Sequence, residues 1–493
     1  MHNDQHFSNL IYEYFLLRIQ FQYYKYGDVL PPIDILCQEF NVAPLTVSAA
    51  LRRLRTEGYI SMRNGQSTKV IYRQSSQKCD DLLISYYSKR WHAFQDLYHS
   101  SELLLIPLEV EGLRKMSEED LSYILEFAKR ADADDLLHFY SFALQKTENP
   151  LILNLFWEIT LYQGFPFAKE SSLQICYRSE MVRGRLHHLV DLIRNKEWDV
   201  LKDTLITYQR SDVNVVTETI SRLVHSVPEE ERIPFTWRIY RERPQICYNL
   251  ASLILHEIYM GEYRHEQYLP SYEKMAEKYN VSVSTIRRTL SMVNQIGAAR
   301  TINGKGTRIF SIGEHCDTPD FKSPAIRRNL AFYLQALEIL VYSCEGVTKH
   351  LLSCGSPEDN HMFIHELEDN LANGLCELSI WQYLIHVGRY SRLEGVKDIY
   401  KRIYSLFLWC YPLKASHGWS ELLDPASIHF TEKMIHYLKT NDADGCARTV
   451  KEHLLQLFPY AQKYLLAQGF THEELRLTPS IRLLITTTEH KGV

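Results

Sequence analysis

The sequence predicts a mainly α-helical chain of two similar halves, each with a three-helix unit and a β-hairpin followed by an α-helical bundle. Two 42-residue stretches, beginning at Leu30 and at Leu269, align without a gap at an offset of 239 and share ten identical positions. Each stretch ends in a hairpin signal, and helical stripes with little strand alternation follow each one. These observations indicate an internal duplication.

Length and composition indicate a globular protein of several domains. The chain has 493 residues, of which 45% are hydrophobic and 23% charged, and it exceeds a typical single domain about threefold. It has no run of 18 uncharged apolar residues, and its first residues lack a secretory pattern, so a cytoplasmic protein without a membrane partner is expected. The ten cysteines form no CxxC pair, which argues against disulfides and structural zinc.

The first repeat predicts three helices in order. A first amphipathic helix is expected over Ile11–Phe21. A second is expected over Ile33–Phe40, where apolar residues recur at positions i, i+3, i+4 and i+7. After a tight turn at Asn41 and Val42, a third helix begins with Pro44 in its first turn, a position that proline favours.

A β-hairpin follows the third helix. The segments Tyr59–Arg63 and Thr68–Tyr72 are rich in strand-forming residues, and they flank Asn64-Gly65, a strong hairpin signal. The second repeat carries the same signals after a first helix expected over Leu250–Met260. Three helices and a β-hairpin wing make a winged helix-turn-helix.

Both repeats resemble the DNA-binding domain of the GntR family of bacterial transcriptional regulators. That family has Leu-Pro before helix two, a small-x-x-Thr-Val-Arg-x-x-Leu recognition helix, a following Gly and a Gly-x-Gly-Thr wing tip. The second repeat follows this pattern at Ser282, Thr285, Ile286, Arg287, Leu290, Gly297 and Gly304-Lys305-Gly306-Thr307. The first repeat departs from it at Pro44, Ser48 and Ser67. The resemblance covers roughly 120 of the 493 residues and implies binding to double-stranded DNA.

The candidate DNA-binding residues lie at the start of each third helix and on each wing. A recognition helix presents its N-terminal part to base edges, whereas residues further along it and on the wing meet phosphates or the minor groove. In the first repeat the candidates are Thr46, Ser48, Arg52, Arg53 and Lys69, with Arg55, Asn64 and Gln66 nearby. In the second repeat they are Ser282, Ser284, Thr285, Arg287, Arg288, Lys305 and Arg308.

Positive charge is concentrated in the two repeats. Ile11–Ile71 contains seven Lys and Arg against five Asp and Glu, and Leu250–Phe310 contains eight against five. The repeats therefore carry net charges of +2 and +3. Because the whole chain carries −5, the rest of the chain carries −10. This distribution favours contact between the repeats and phosphates.

These observations predict five segments. They are a winged helix-turn-helix domain at 1–75, a helical effector-like domain at 76–240, a second winged helix-turn-helix domain at 241–312, a polar linker at 313–325 and a second helical effector-like domain at 326–493.

The helical segments resemble the effector domain of the fatty-acid-regulator-like branch of the same family. The resemblance implies a metal site only where one aspartate and three histidines stand at fixed spacings. Asp134 and His138 fit the opening pair, but Leu186 and Tyr208 occupy the other two places. In the second half Gln382, Thr431 and His453 occupy ligand places. The set is incomplete in both halves, so neither a metal nor another cofactor is expected.

The duplication predicts a DNA-binding transcriptional regulator whose two winged helices read two unlike half-sites. Such a chain could act as a monomer with pseudo-two-fold pairing or as a homodimer. A small-molecule effector of unknown identity is expected to bind the helical domains. Candidate cavity residues are Trp157, Tyr177, Tyr208, Trp381, Tyr383 and Trp409, although plain core packing explains such aromatics more simply; Arg178, Arg183, His187 and His188 are candidates to meet a carboxylate.

Catalysis is not expected. The sequence has no nucleophile elbow, phosphate loop, HExxH motif or dinucleotide fingerprint. The alternative from another functional class is a helical scaffold or adaptor that uses its winged helices for protein–protein contacts. Salt-dependent binding to promoter DNA would distinguish the regulator from the scaffold.

Overall fold

The structure is a computed structural model that describes residues 4–40, 42–63, 65–131, 133–164, 179–239, 245–310, 319–410 and 419–476. These residues fall into two compact units, one ending at residue 239 and the other running from 245 to 476. The described chain is mainly α-helical, and its two sheets each contain two antiparallel strands. The predicted fold class is confirmed.

The first unit begins with the predicted winged helix. Its elements are α1 (Asp4–Gln20), α2 (Ile33–Phe40), α3 (Pro44–Thr56), β1 (Ile60–Ser61) and β2 (Lys69–Val70). Helix α2 has the predicted bounds, while the strands are shorter than predicted. The strands pair Ile60 with Val70 and Ser61 with Lys69, and Asn64 lies outside the described residues.

Glycine ends the recognition helix of each repeat. Helix α3 is followed by Gly58 with φ +83°, and the amide of Tyr59 donates to the carbonyl oxygen of Leu54 at 2.9 Å. Gly297 has φ +85° at the matching place. This left-handed conformation is strained for residues with a Cβ, and it turns the chain from the helix into the wing.

Six α-helices follow in the described residues of the first unit: α4 (Ser76–Arg114), α5 (Glu118–Arg130), α6 (Ala133–Gln145), α7 (Pro150–Gln163), α8 (Ser179–Arg194) and α9 (Trp198–Ser221). A capping box precedes α5, since the Oγ of Ser117 accepts from the Asp120 amide and Asp120 accepts from the Ser117 amide. Helix α7 begins with Asn149 as the N-cap and Pro150 as the first helical residue.

Two helices of this unit follow each other after a short break. Helix α8 ends at Arg194, and α9 begins at Trp198. Lys196 has φ +57°, which ends α8, and the amide of Glu197 donates back to the carbonyl of Leu192. Apolar periodicity continues on both sides of the break, because both helices contribute to one core.

The second unit begins with the second winged helix: α10 (Gln245–Tyr259), α11 (Tyr272–Lys278), α12 (Val283–Gln295), β3 (Ala299–Ile302) and β4 (Gly306–Ile309). Its strands pair from Ala299 with Ile309 to Ile302 with Gly306. The segments before α2 and α11 add short bridges to the wings, Val29 to Lys69 and Tyr268 to Arg308, which the sequence did not predict.

The second helical part contains α13 (Pro324–Cys354), α14 (Pro357–Ala372), α15 (Ser379–Tyr390), α16 (Glu394–Phe407), α17 (Trp419–Lys439), α18 (Ala443–Ala467) and α19 (His472–Leu475). Helix α13 is long and apolar enough to cross a membrane, and 78% of its most apolar window is buried inside the protein, where it packs along α18 and α16. It is therefore a core helix of this unit.

The predicted linker is partly fixed to the second winged helix. Among the residues described after position 318, the amide of Asp320 donates to the carbonyl oxygen of Gln295 at 2.7 Å. The hydroxyl of Ser323 donates to the Gln295 side chain at 3.1 Å. Because Gln295 is the last residue of α12, these bonds connect the recognition helix to the start of α13.

Candidate nucleic-acid interface

The exposed face of α12 is polar and cationic. Ser284, Arg287, Arg288 and Ser291 recur at helical spacing and are all exposed, whereas Ile286, Leu290 and Val293 are buried on the opposite side. Arginine hydrogen-bonds bidentately to guanine, and serine hydroxyls donate to or accept from several bases. The face can therefore form directional hydrogen bonds with base edges.

The N-terminus of α12 is closed by a cluster of hydroxyl groups. The Oγ of Ser282 accepts from the Thr285 amide at 3.1 Å and lies 2.8 Å from both the Ser284 Oγ and the Thr285 Oγ1. This cap satisfies one amide of the first turn and fixes the orientation of the helix start. The remaining amides and the helix dipole favour a phosphate there.

The matching face of α3 has different chemistry. Leu45, Ser48, Ala49 and Arg52 stand at the positions of Ser284, Arg287, Arg288 and Ser291. Leu45 is 74% exposed, while Ser48 and Ala49 are partly exposed. Arg52 is exposed, and its Nε donates to the carbonyl oxygen of Ser48 at 3.1 Å. The first two turns of α3 thus carry no cation on this face.

The structure corrects the placement of Thr46. Its side chain is only 2% exposed, so it lies in the interior and not on the reading face. Its Oγ1 is buried without a hydrogen-bond partner, whereas Thr285 at the matching place pairs with Ser282. The difference arises because Ala43 stands where Ser282 stands and has no side-chain cap to offer.

Arg53 is held within its own domain. Its guanidinium lies 3.6 Å from the centre of the Tyr12 ring, and its Nε donates to Glu57 at 3.0 Å. The Tyr12 hydroxyl also donates to Glu57. Burial is the larger cause and this hydrogen bond the next, and together they raise the pKa of Tyr12 to about 12. The charge of Arg53 is thus partly balanced by Glu57, unlike the exposed charges of Arg52 and Arg55.

The two wings place cations near their tips. In the second wing, Lys305 and Arg308 are exposed, and the Thr301 and Thr307 hydroxyls lie 3.2 Å apart across the strands. In the first wing, Lys69 and Gln66 are exposed. The predicted wing residues that are described therefore lie where a nucleic acid could reach them.

Within the first unit, aromatic and ionic contacts join the winged helix to the helical part. Tyr14 of α1 packs edge-on against Trp157 of α7, with ring centroids 5.7 Å apart. Arg238 donates to Glu13 of α1 at 2.9 Å and pairs with the buried Glu158 of α7 at 3.0 Å. These contacts fix α1, the first helix of the winged helix, to the helical part of the same unit.

Within the second unit, hydrogen bonds make the corresponding connection. His256 Nδ1 and the Tyr404 hydroxyl lie 2.7 Å apart, and Ser252 accepts from Trp409 Nε1 at 3.0 Å while donating to the Ser405 carbonyl. Burial lowers the pKa of His256. Beside this junction is a cavity of about 740 Å³ whose lining includes His256, Arg264, Glu366, Arg389, Lys401 and Tyr404.

The proposed aromatic cavity residues are mostly core. Trp157, Trp381, Tyr383 and Trp409 are buried, and none of them lines this cavity. Tyr208 is half-buried with its hydroxyl 2.8 Å from His188 Nδ1, and Arg183 donates to the carbonyl of Ala128 at 3.1 Å. His187 is exposed, and Tyr177 and Arg178 lie outside the described residues.

The positions at which the resemblance implies metal ligands hold other groups. Leu186 is buried in the core of the first unit. In the second unit, Gln382 accepts a hydrogen bond from Asn370. Thr431 donates one to Ser379 at 2.8 Å. Both side chains are therefore engaged in hydrogen bonds within the protein. Within the part of the chain that the structure describes, no group of three or more His, Cys, Asp or Glu could hold a metal ion.

The architecture defines a protein with two winged helix-turn-helix domains. The model of the gntR family of bacterial regulatory proteins matches residues 8–70 and 249–309, one match for each winged helix. The chain therefore contains two winged helices of the GntR type, one in each half, as an internally duplicated GntR regulator would, and this supports a DNA-binding transcription regulator. The family assignment points to DNA binding and not to an enzymatic role.

Three solved structures illustrate the similarity. They are a GntR protein of Streptococcus agalactiae (15% identity, 44% of this chain and 98% of that one, TM-score 0.22), McbR/YncC of E. coli (14%, 44% and 98%, 0.24) and Lar of Listeria monocytogenes, which controls the expression of the agr system and mediates virulence (16%, 45% and 98%, 0.21). No curated protein matches the chain. The family assignment rests on the two sequence matches.

Proposed function

We propose that this regulator reads two unlike DNA half-sites, one with each winged helix. The observation that carries the proposal is the contrast between the exposed faces of α3 and α12. Leu45, Ser48 and Ala49 cannot form the hydrogen bonds that Ser284, Arg287 and Arg288 offer at the same positions. Because base readout depends on these side chains, the two domains have different preferred sequences.

The second winged helix makes the hydrogen-bonded readout in this proposal. Ser284, Arg287 and Arg288 contact base edges, and the capped start of α12 meets a phosphate. Lys305 and Arg308 contact the backbone or the minor groove from the wing. In the first winged helix, Ser48 lies on the reading face, while Arg52 and Lys69 contact phosphates; Arg53 contributes less because Glu57 already accepts from it.

A single chain supplies both readers, so we propose that a monomer suffices for one complete operator. Covalent linkage replaces the association of two protomers by an effective local concentration. In this proposal the winged helices occupy residues 1–75 and 241–312, and the protein works in the cytoplasm, where its DNA partner lies.

We also propose that a small molecule controls DNA binding through the second unit. The cavity beside His256 and Tyr404 adjoins both α10 of the winged helix and α16 of the helical part. A ligand there would contact α10, the first helix of the second winged helix, and its binding would favour one position of that domain over another.

The test is selection of duplex DNA from a randomised library by the full chain, followed by mass photometry of the purified complex. We expect an enriched site with two dissimilar halves and one chain bound per DNA. A palindromic site occupied by two chains would overturn the unlike-half-site proposal. Absence of any enriched sequence, with binding of equal strength to all duplexes, would overturn specific reading altogether.

The effector proposal has a separate test. The selected DNA is titrated with the protein in the presence of a panel of organic acids and sugars, with Arg389→Ala and Lys401→Ala as cavity variants and Lys433→Ala as a control outside the cavity lining. A compound that changes the affinity of the unaltered chain and the control, but not of the cavity variants, supports this site. An equal response in all variants contradicts it.

A further inference from the structure

We infer that the first winged helix recognises a thymine-rich half-site by apolar contacts, with Leu45 and Ala49 placed against thymine methyl groups. This inference rests on the proposed function and specifies what one of its two readers binds. The second winged helix, by contrast, relies on hydrogen bonds from Ser284, Arg287 and Arg288.

The position of Leu45 carries the first step of the argument. It stands in the first turn of α3, on the face opposite the buried Val47, Ala50 and Leu51, and it is 74% exposed. A leucine this exposed contributes little to the core of its own domain, because burial of apolar area is the source of its stabilising effect. At the matching place in α12, Ser284 is a hydrogen-bonding residue.

The neighbours of Leu45 extend the same chemistry. Ala43 and Pro44 are exposed at the start of α3, and Ala49 is partly exposed one turn beyond Leu45. Ala43 provides no side-chain cap, and Pro44 has no backbone N–H to donate. The start of α3 is therefore poorer in hydrogen-bond donors than the start of α12, where three hydroxyl groups cluster.

In the major groove, the thymine C5 methyl is the largest apolar group that a base edge presents. The base-edge nitrogen and oxygen groups there are hydrogen-bond donors or acceptors, and covering one of them with leucine would leave it unsatisfied. An apolar contact with the methyl group removes apolar surface from water on both partners. Thymine is thus the base that suits Leu45 and Ala49.

The surrounding charges favour DNA over a protein partner for this face. Helix α3 contains no acidic residue, and Arg52 and Arg55 are exposed in its later turns. Arg63 and Lys69 are exposed on the adjacent wing. An apolar helix start followed by cations fits a groove floor bordered by phosphates.

The experiment replaces thymine by deoxyuridine, which removes the C5 methyl and keeps base pairing. The full chain is titrated against its selected operator, with substitutions made in one half-site at a time. Arg287→Ala identifies the half-site of the second winged helix, because this change removes preference there. We expect each methyl contacted in the other half-site to contribute about fourfold in affinity, from ~0.8 kcal/mol for one buried methyl-sized group.

Two variants of Leu45 make the test specific. Leu45→Ala should weaken binding to the thymine-containing operator and reduce the difference between thymine and deoxyuridine to the part that Ala49 contributes. Leu45→Met replaces leucine by an unbranched apolar side chain of similar volume and should retain that difference. Because Leu45 is exposed, neither change should unfold the domain.

Three outcomes overturn the inference. Equal affinity for thymine and deoxyuridine operators would show that the protein does not contact the methyl groups. The proposed function would still stand in that case, because it depends only on selection of an operator with two dissimilar halves. Unchanged affinity and unchanged selected sequence with Leu45→Ala would assign this face to a protein partner instead. If deoxyuridine weakens binding only in the half-site of the second winged helix, the methyl groups are contacted by that domain and not by the first winged helix.

Discussion

The two winged helices share one scaffold and differ on the exposed face of the third helix, which we propose contacts DNA. Buried positions keep their apolar character, as Val47 matches Ile286 and Leu51 matches Leu290. Exposed positions do not, since Leu45 matches Ser284 and Ser48 matches Arg287. Core packing constrains the buried set, whereas the exposed set is free to change without loss of the fold. The comparison teaches that the residues that fold this helix and the residues proposed to read bases are separate sets.

The caps of the two recognition helices show the same separation in a different way. Ser282 caps α12 and pairs with Thr285, whereas Ala43 leaves the Thr46 hydroxyl buried without a hydrogen bond. An unsatisfied buried hydroxyl lowers stability, and a missing cap lowers it further. The first reader is therefore expected to be the less stable of two otherwise similar domains.

The largest expected difference in DNA binding concerns Arg287 and its counterpart Ser48. Arg287→Ala should weaken binding to the selected operator by about 1–3 kcal/mol and reduce discrimination at its half-site. Ser48→Ala should change affinity by less than about 0.5 kcal/mol, because a single hydroxyl contact is easily replaced by water. Fluorescence anisotropy on matched and mismatched operators measures both. Equal losses would mean that the two faces are read alike.

The next effect concerns stability through the caps. Ser282→Ala should destabilise α12 by about 1 kcal/mol, and Ala43→Ser should stabilise α3 by a similar amount, because it supplies both a cap and a partner for Thr46. Hydrogen exchange of the amides in each helix, followed by mass spectrometry, separates the two domains in the full chain.

Thr46→Val is the matched control for this pair. Thr46→Val removes the buried hydroxyl and keeps the volume of the side chain, so by itself it should leave the stability of α3 unchanged or raise it. In the double variant with Ala43→Ser it should no longer stabilise α3, because the serine would then have given the Thr46 hydroxyl a partner. Slower exchange in α3 with Thr46→Val but not with Ala43→Ser would show that the missing cap is unimportant.

A smaller effect is expected from the wing lysines. Lys305→Ala should weaken binding nearly equally on all sequences and reduce the slope of log affinity against log salt concentration by about 1. Lys69→Ala should do the same if the first wing also contacts phosphate. Titrations at several salt concentrations measure the slope. A sequence-dependent loss for either lysine would assign it to base readout.

The smallest effect is expected from Arg53, compared with its neighbour Arg52. Arg53 already interacts with Tyr12 and Glu57, so Arg53→Ala should leave the salt slope nearly unchanged and alter stability by about 0–1 kcal/mol. Arg52→Ala should reduce the slope. If Arg53→Ala reduces the slope as much as Arg52→Ala, Glu57 does not hold this guanidinium away from DNA.

Sequence reasoning predicted the winged helices well because their signals are local. Apolar spacing located α2 with its observed bounds, and Pro44 lies in the first turn of α3 as expected. The break at Lys196 has little sequence signal, because a positive φ falls on a non-glycine residue and both flanking helices face one core. The cavity beside His256 was also beyond prediction, since its lining comes from helices far apart in sequence.

By itself, the sequence determined that the chain is duplicated, that each copy begins with a winged helix-turn-helix, and that the copies differ at matched positions. Periodicity, turn residues and a gapless repeat are properties of short stretches, so they can be read without coordinates. Only the tertiary structure decided that Thr46 is buried, that Leu45 is exposed and that Arg53 pairs with Glu57. Exposure and pairing depend on how neighbouring elements pack around each side chain, and adjacent residues of one helix can therefore have opposite environments.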